Sequence, residues 1–300
     1  NYFIVNPAAS SGAFAYANAY QSTFNALIVD LRHRPSHGLQ FDVNYTFSKS
    51  LTNYDANSAI VNSSFTTLRN ENYSKGPAPF QAAHQIKGQL VYQLPFGPGH
   101  KWSSSSGVVN RIIGGWEIDD VTRFQTGQPV LVTSGTTGGG TFNNNNAGIN
   151  LVGLTASQIQ SMFVTNKTAL VGAVTYLPSS LLSGNNANLA IFQPCNVAGT
   201  LCGRPFFTGP SFFRTDLSVV KTTKITERVN FEMRAELLNA FNDADFYWAC
   251  AVATSPCSIS TASTRFGQMG SNSTNGAYSD INTTQDPGGR IVQLVGRINF

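Results

Sequence analysis

From Leu39 to Phe47 every odd position is large and apolar, and from Gln40 to Ser48 every even position is polar. A strict period of two over about ten residues predicts a strand with one apolar and one polar face. Similar segments recur along the chain. Phe24 to Arg34 places Leu27, Val29 and Leu31 against Asp30 and Arg32. Gln85 to Phe96 sets Ile86, Leu90, Tyr92, Leu94 and Phe96 against Gln85, Lys87, Gln89 and Gln93. Arg111 to Gln125 alternates more weakly, with Trp116, Ile118, Thr122 and Phe124 opposing Glu117, Asp119 and Arg123. Phe213 to Thr222 has Leu217 and Val219 as its apolar pair. Val229 to Asn239 and Arg290 to Phe300 complete the series, giving seven predicted strands.

Soluble strands average about 5–6 residues, whereas a tilted strand crossing a bilayer needs about 9–11. The connections also alternate in length. Pro35 to Gly38, Gly97 to Asn110 and Thr223 to Thr226 are short, while Ser50 to His84, Thr126 to Phe212 and Ala240 to Gly289 are long and polar. Short turns on one side and long loops on the other are the pattern of an outer-membrane β-barrel, with the short side in the periplasm. Within the second long loop, Gly135 to Asn150 reads as flexible coil. Thr155 and Gln158, followed by Ile159, Met162 and Phe163, read as a capping box on a short helix covering a small core within the loop.

Composition agrees with a lipid-facing surface. Charged residues are only 11% of the 300, against a usual ~25%, while apolar residues reach 41%. Lys and Arg number 19 and Asp and Glu 15, a net charge of +4 with no basic run. This excludes the clustered basic footprint of a nucleic-acid binder. No apolar run approaches the ~18–20 residues of a membrane helix. Phe47, Phe96, Trp102, Trp116 and Phe300 stand at strand ends, where they would suit interfacial girdles.

One residue breaks the pattern. Asp120 falls in phase with Trp116 and Ile118 and would face lipid near mid-membrane, a disfavoured place for an acid. Either a bulge after Trp116 turns Val121 outward instead, or the phase of this segment is wrong.

Candidate chemistry is sparse. The four histidines, His33, His37, His84 and His100, are scattered, and no Ser/His/Asp grouping, Gly-x-Ser-x-Gly or phosphate-cradling loop occurs. No enzyme, cofactor or metal site is expected. Glu232, Arg234 and Glu236 point the same way on one strand, and Arg297 on the next shares their surroundings. Such charges pair where water is scarce, so a cross-strand ion network on the lumen wall is expected, with a substrate-path or plug-release contact as the alternative. The four cysteines repeat one pattern, Cys195-x6-Cys202 and Cys250-x6-Cys257, each in an outer loop. That spacing is poor for structural zinc, and an external location is oxidising. Local pairing is expected, although four cysteines allow three connectivities and spacing alone does not choose.

Several motifs carry a family resemblance. Gly38-Leu39-Gln40-Phe41 running into Tyr45-Thr46-Phe47-Ser48-Lys49-Ser50 resembles a segment of TonB-dependent outer-membrane receptors. Tyr92 to Gly97, Gly114-Gly115-Trp116 leading to Gln125 to Pro129, Arg234-Ala235-Glu236 with Asn239 to Asn242, and Gly296 to Phe300 follow in the same order. The likeness is strongest to the subfamily with a carboxypeptidase-regulatory-like N-terminal domain. It implies a plug, a barrel of about 22 strands, and a TonB-type energy-coupling complex as partner. On this reading residues 1–300 are the C-terminal part of a larger barrel, without plug or upstream strands, and form an open arc in isolation. Phe300, with Ile298, Leu294 and Val292 in phase behind it, resembles the signal read by the outer-membrane assembly machinery.

The expected fold is therefore all-β, an antiparallel transmembrane barrel segment with long outer loops, in contact with outer-membrane lipid. The expected function is energised uptake of a large scarce solute across a Gram-negative outer membrane. A soluble or surface all-β binding or adhesion module is the alternative, favoured if a second sheet covers the apolar faces. An outer-membrane hydrolase is a third reading, weakened by the scattered histidines.

Overall fold

The structure, a computed structural model, describes residues 18, 20–53, 70–78, 80–133, 148–163, 166–170, 173–181, 191–194, 201–243, 257–260, 268–269 and 289–300. Seven long strands form one antiparallel sheet in sequence order: β1 (Ser22–Ser36), β2 (Leu39–Thr52), β3 (His84–Gln93), β4 (Trp116–Gln125), β5 (Phe212–Lys224), β6 (Asn230–Leu238) and β7 (Ile291–Asn299). A two-residue strand, Gly76–Pro77, adds to the end of β2. β1 and β7 are the edges and do not pair with each other, so the sheet is an open arc.

The short turns follow from local chemistry. β1 and β2 are joined through His37 and Gly38, with φ of 53° and 82°. Two successive positive φ values suit the right-handed twist of a tight hairpin. Between β5 and β6 the strand continues through Lys224 and the bend lies at 225–228, later than the Thr223 to Thr226 expected. The third short connection differs more. Arg111 to Ile113, read as the start of a strand, instead end a helix, α1 (Gly107–Ile113). Ser106 caps α1 by accepting a hydrogen bond from the Val109 amide, and Gly114 and Gly115 separate it from β4.

The ladders fix which residues share a face. One row runs Phe41–Leu90–Asp120–Leu217–Leu237–Val292 across six strands, and the next runs Leu39–Tyr92–Ile118–Val219–Ala235–Leu294. Both ladders of β4 run without a break, so no bulge turns Val121 outward. Asp120 therefore lies on the apolar face, in phase as the alternation indicated. Thr122 Oγ1 donates to Asp120 Oδ2 at 2.9 Å and lies 3.0 Å from Thr215 Oγ1. This gives the carboxylate a local partner where water is excluded.

The apolar face is exposed, with Leu31, Ile86, Leu294 and Ile298 all open, and no second sheet covers it among the described residues. The packed hydrophobic cluster lies elsewhere, in the second long loop. Val130, Val132, Ile149, Ile159, Tyr176, Leu177, Leu181, Phe192 and Phe207 form a packed cluster. Short strands frame it: Pro129–Thr133 pairs with Phe206–Thr208 and Cys257–Ser260, and Ile149–Leu151 pairs with Phe192–Pro194. The helix α2 (Ala156–Ser161) starts at Thr155 with the expected capping box and inserts Ile159 into this core. The Gly135 to Asn150 coil falls largely on residues outside those described.

Candidate functional site

The face opposite the apolar one is polar and forms a charged wall. Toward the long-loop end, Asn44, Lys87, Arg123 and Arg214 are successive register partners across four strands. Three cations thus stand side by side, an arrangement that disfavours the sheet unless an anion compensates. Arg214 Nε donates to Asp216 Oδ1 at 3.1 Å, while Lys87 and Arg123 have no ion-pair partner among the described residues. Asp216 Oδ1 also accepts from the Asn239 amide at 2.8 Å and so fixes the turn after β6. On the β1–β2 hairpin, Arg32 and Asp42 pair at 2.9 Å.

Toward the short-turn end the wall is acidic. Arg234 lies between Glu232 and Glu236, at 3.3 and 3.6 Å. Arg297 is the register partner of Glu232 but makes no ion pair with it among the described residues. Asp119 and Glu117 continue this region on β4, where Gln93 Nε2 donates to Glu117 Oε2 at 3.1 Å. The four residues grouped from sequence thus lie together on two neighbouring strands. The Lys87–Arg123–Arg214 row was not grouped, because a strand's alternation gives its faces but not its register against its neighbours.

Above the basic row, the first and second long loops are tied together. Tyr73 OH donates to the Cys202 carbonyl oxygen at 2.5 Å. The Arg204 guanidinium lies 5.8 Å from the Tyr73 ring centroid and 6.0 Å from that of Phe206. Gly76 packs under the same Phe206 ring, where a side chain would collide with it. Asn150 Nδ2 donates to Cys202 Sγ at 3.5 Å. Cys195 and Cys250 lie outside the described residues, and so do both local pairings. Cys257 begins the strand running parallel to Pro129–Thr133.

Val292, Leu294 and Ile298 occupy the apolar face of the edge strand β7, with Phe300 just beyond its end. Gly296 is the one position of that face without a side chain. The histidines stay apart. His33 stacks on Phe41 near the first turn, His84 contacts Tyr45 OH at 2.9 Å at the long-loop end, and His37 and His100 lie in turns. Among the described residues no group of three or more His, Cys, Asp or Glu is arranged to hold a metal ion. No helix among them is long and apolar enough to cross a membrane.

Comparison with known proteins agrees with this geometry. A family model described as an outer membrane beta barrel domain matches residues 5–293. No curated protein and no solved structure matches the chain. An exposed apolar face, a charged inner wall and alternating short and long connections are what a barrel wall requires, and the chain belongs to the outer membrane beta barrel domain family.

Proposed function

We propose that this barrel wall belongs to a TonB-dependent receptor that imports a large, scarce solute. The observation that carries this reading is the loop assembly over the lumen wall, where the first two long loops are joined through Tyr73, Cys202, Arg204 and Phe206. A built cap suits a receptor that captures its solute before transport. Below it, the Lys87–Arg123–Arg214 row is the first charged layer of the path. The Glu232–Arg234–Glu236 group with Arg297 lies further in, where a plug would rest against it.

On this reading residues 1–300 are one part of a larger barrel, and a TonB-type energy complex acts on a plug outside them. Val292, Leu294, Ile298 and Phe300 serve as the signal for the assembly machinery. Cys195 with Cys202, and Cys250 with Cys257, close small outer loops. The reading includes no catalytic step and no cofactor. The full-length protein in a planar bilayer tests it. A plugged receptor should stay closed and open to a large conductance only when moderate urea unfolds the plug. Steady conductance without urea would indicate a passive pore instead.

A further inference from the structure

The turn between β3 and β4 does more than reverse the chain. Leu94 and Phe96 continue the outward phase of Tyr92, and Phe96 meets Trp102 edge-on at 5.7 Å. The helix α1 then lies against the outward face of the wall. Trp116 and Lys221 are register partners on that face, and both reach the end of α1. Trp116 Nε1 donates to the Ile112 carbonyl at 3.0 Å. Lys221 Nζ donates to the Arg111 carbonyl at 2.8 Å and to the Gly114 carbonyl, 5.3 Å from the Trp116 ring centroid. The ammonium thus caps the negative end of the helix, which compensates for its place on a face otherwise left to lipid.

This clamp holds α1 with its apolar side chains outward. Val108 and Ile112 are 69% and 64% exposed, and Trp102 is 56% exposed. Beside them opens a hollow of about 570 Å³ lined by Leu94, Phe96, Trp102, Ile113 and Trp116, with Ser103 and Ser104 as its polar members. Through Leu94 and Trp116 its wall continues the hydrocarbon-facing surface of β3 and β4. From Leu94 to Trp116 the chain carries Lys101 and Arg111, both exposed, and no acidic residue. A mostly apolar surface continuous with the lipid belt, with a cation next in the chain to each of Trp102 and Ile112 and no acid between Leu94 and Trp116, fits one occupant.

We propose that this turn is a binding site for an anionic glycerophospholipid of the periplasmic leaflet, one acyl chain lying in the hollow and the headgroup meeting Lys101 and Arg111. A protein partner is disfavoured, because Leu94 and Trp116 of its lining belong to the membrane-facing side of β3 and β4. The site would anchor the periplasmic rim of the wall independently of any solute.

The test is native mass spectrometry of the full-length protein, delipidated in detergent and offered palmitoyl-oleoyl phosphatidylglycerol or phosphatidylcholine at equal concentration. Phosphatidylglycerol should be retained preferentially. Replacing both cations, Lys101→Gln with Arg111→Gln, should weaken its retention by about fivefold per removed charge, leaving phosphatidylcholine unaffected. Val108→Asn with Ile112→Asn, both at exposed positions, should lower retention of both lipids. Equal retention of the two lipids by the unmodified protein would overturn the proposal. So would retention of phosphatidylglycerol that neither double variant changes, with folding verified by heat-modifiable gel migration.

Discussion

Asp120 lies directly across the ladder from Leu217, and across the opposite ladder from Leu90, in the middle of the face that meets hydrocarbon. The Thr122 hydroxyl gives its carboxyl group one hydrogen bond, at 2.9 Å. Desolvation remains largely uncompensated, since a single neutral donor contributes less than water did. Asp120→Leu should therefore stabilise the folded barrel by about 1 kcal/mol, below the ~2–4 kcal/mol attached to a midplane Lys or Arg. Urea titration of the full-length protein in bilayers measures this. A lower midpoint for the leucine variant would mean that the acid supports the wall.

Val43 and Asn44 test the two faces at adjacent positions. Val43 has Leu31 and Gly88 as register partners on the apolar face, while Asn44 Nδ2 donates to Asp30 Oδ1 at 2.5 Å on the inner one. Val43→Arg should cost about 2–4 kcal/mol if it sits at the midplane. Asn44→Arg should be tolerated, because attraction to Asp30 offsets repulsion from Lys87 across the ladder. Spin labels at the two sites report the environment directly. Lipid contact at 44 and water contact at 43 would reverse the assignment.

The wall was legible because its alternation has a physical cause: lipid on one side and a polar interior on the other admit only a period of two. Leu39 to Phe47 shows this without exception. Arg111 to Ile113 misled, because an apolar stretch before a strand can extend it or end a helix, and Lys221, more than a hundred residues away, holds the helix end. The alternation of β4 leaves the face of Asp120 open between the lipid side, a bulge and a wrong phase, and only the unbroken ladders on both sides place it on the apolar face. The cap was less legible. Its strands run two to five residues, as at Phe206–Thr208, too few to establish a period. Its core forms only when segments as far apart as Val130 and Phe207 meet. The basic row was hidden for a similar reason, since Lys87, Arg123 and Arg214 become neighbours only through register.

Gly115 should tolerate no side chain. Its φ is 71°, and a methyl group there would run into the Thr222 carbonyl oxygen across the ladder. The same pair of residues is joined by the Thr222 amide donating to the Gly115 carbonyl at 2.8 Å. Gly115→Ala should cost about 1–3 kcal/mol, from the left-handed backbone and from displacement of β5. Because Gly115 directly follows the Lys221-clamped end of α1, the loss should also appear as faster proteolysis between Gly97 and Gly114. Unchanged proteolysis together with an unchanged unfolding midpoint would show that the turn relaxes freely.

The cysteines give a prediction about the cap. Cys202 is fixed by its neighbours, its carbonyl accepting from Tyr73 OH at 2.5 Å and its Sγ from Asn150 Nδ2 at 3.5 Å. A bond from this residue to Cys195 would close a short loop beside the Arg204 contacts with Tyr73 and Phe206. It would thus stiffen the junction of the first and second long loops. The equivalent bond from Cys250 to Cys257 would act at the strand parallel to Pro129–Thr133. Closure of loops this short is worth about 2–3 kcal/mol, acting mainly on the unfolded chain. Reduction should therefore increase protease cutting in the cap and leave the seven-strand wall resistant. Peptide mapping without reductant should recover the 195–202 and 250–257 links from protein isolated from the membrane. Four free thiols, or a link from either residue of one pair to the other pair, would refute local closure.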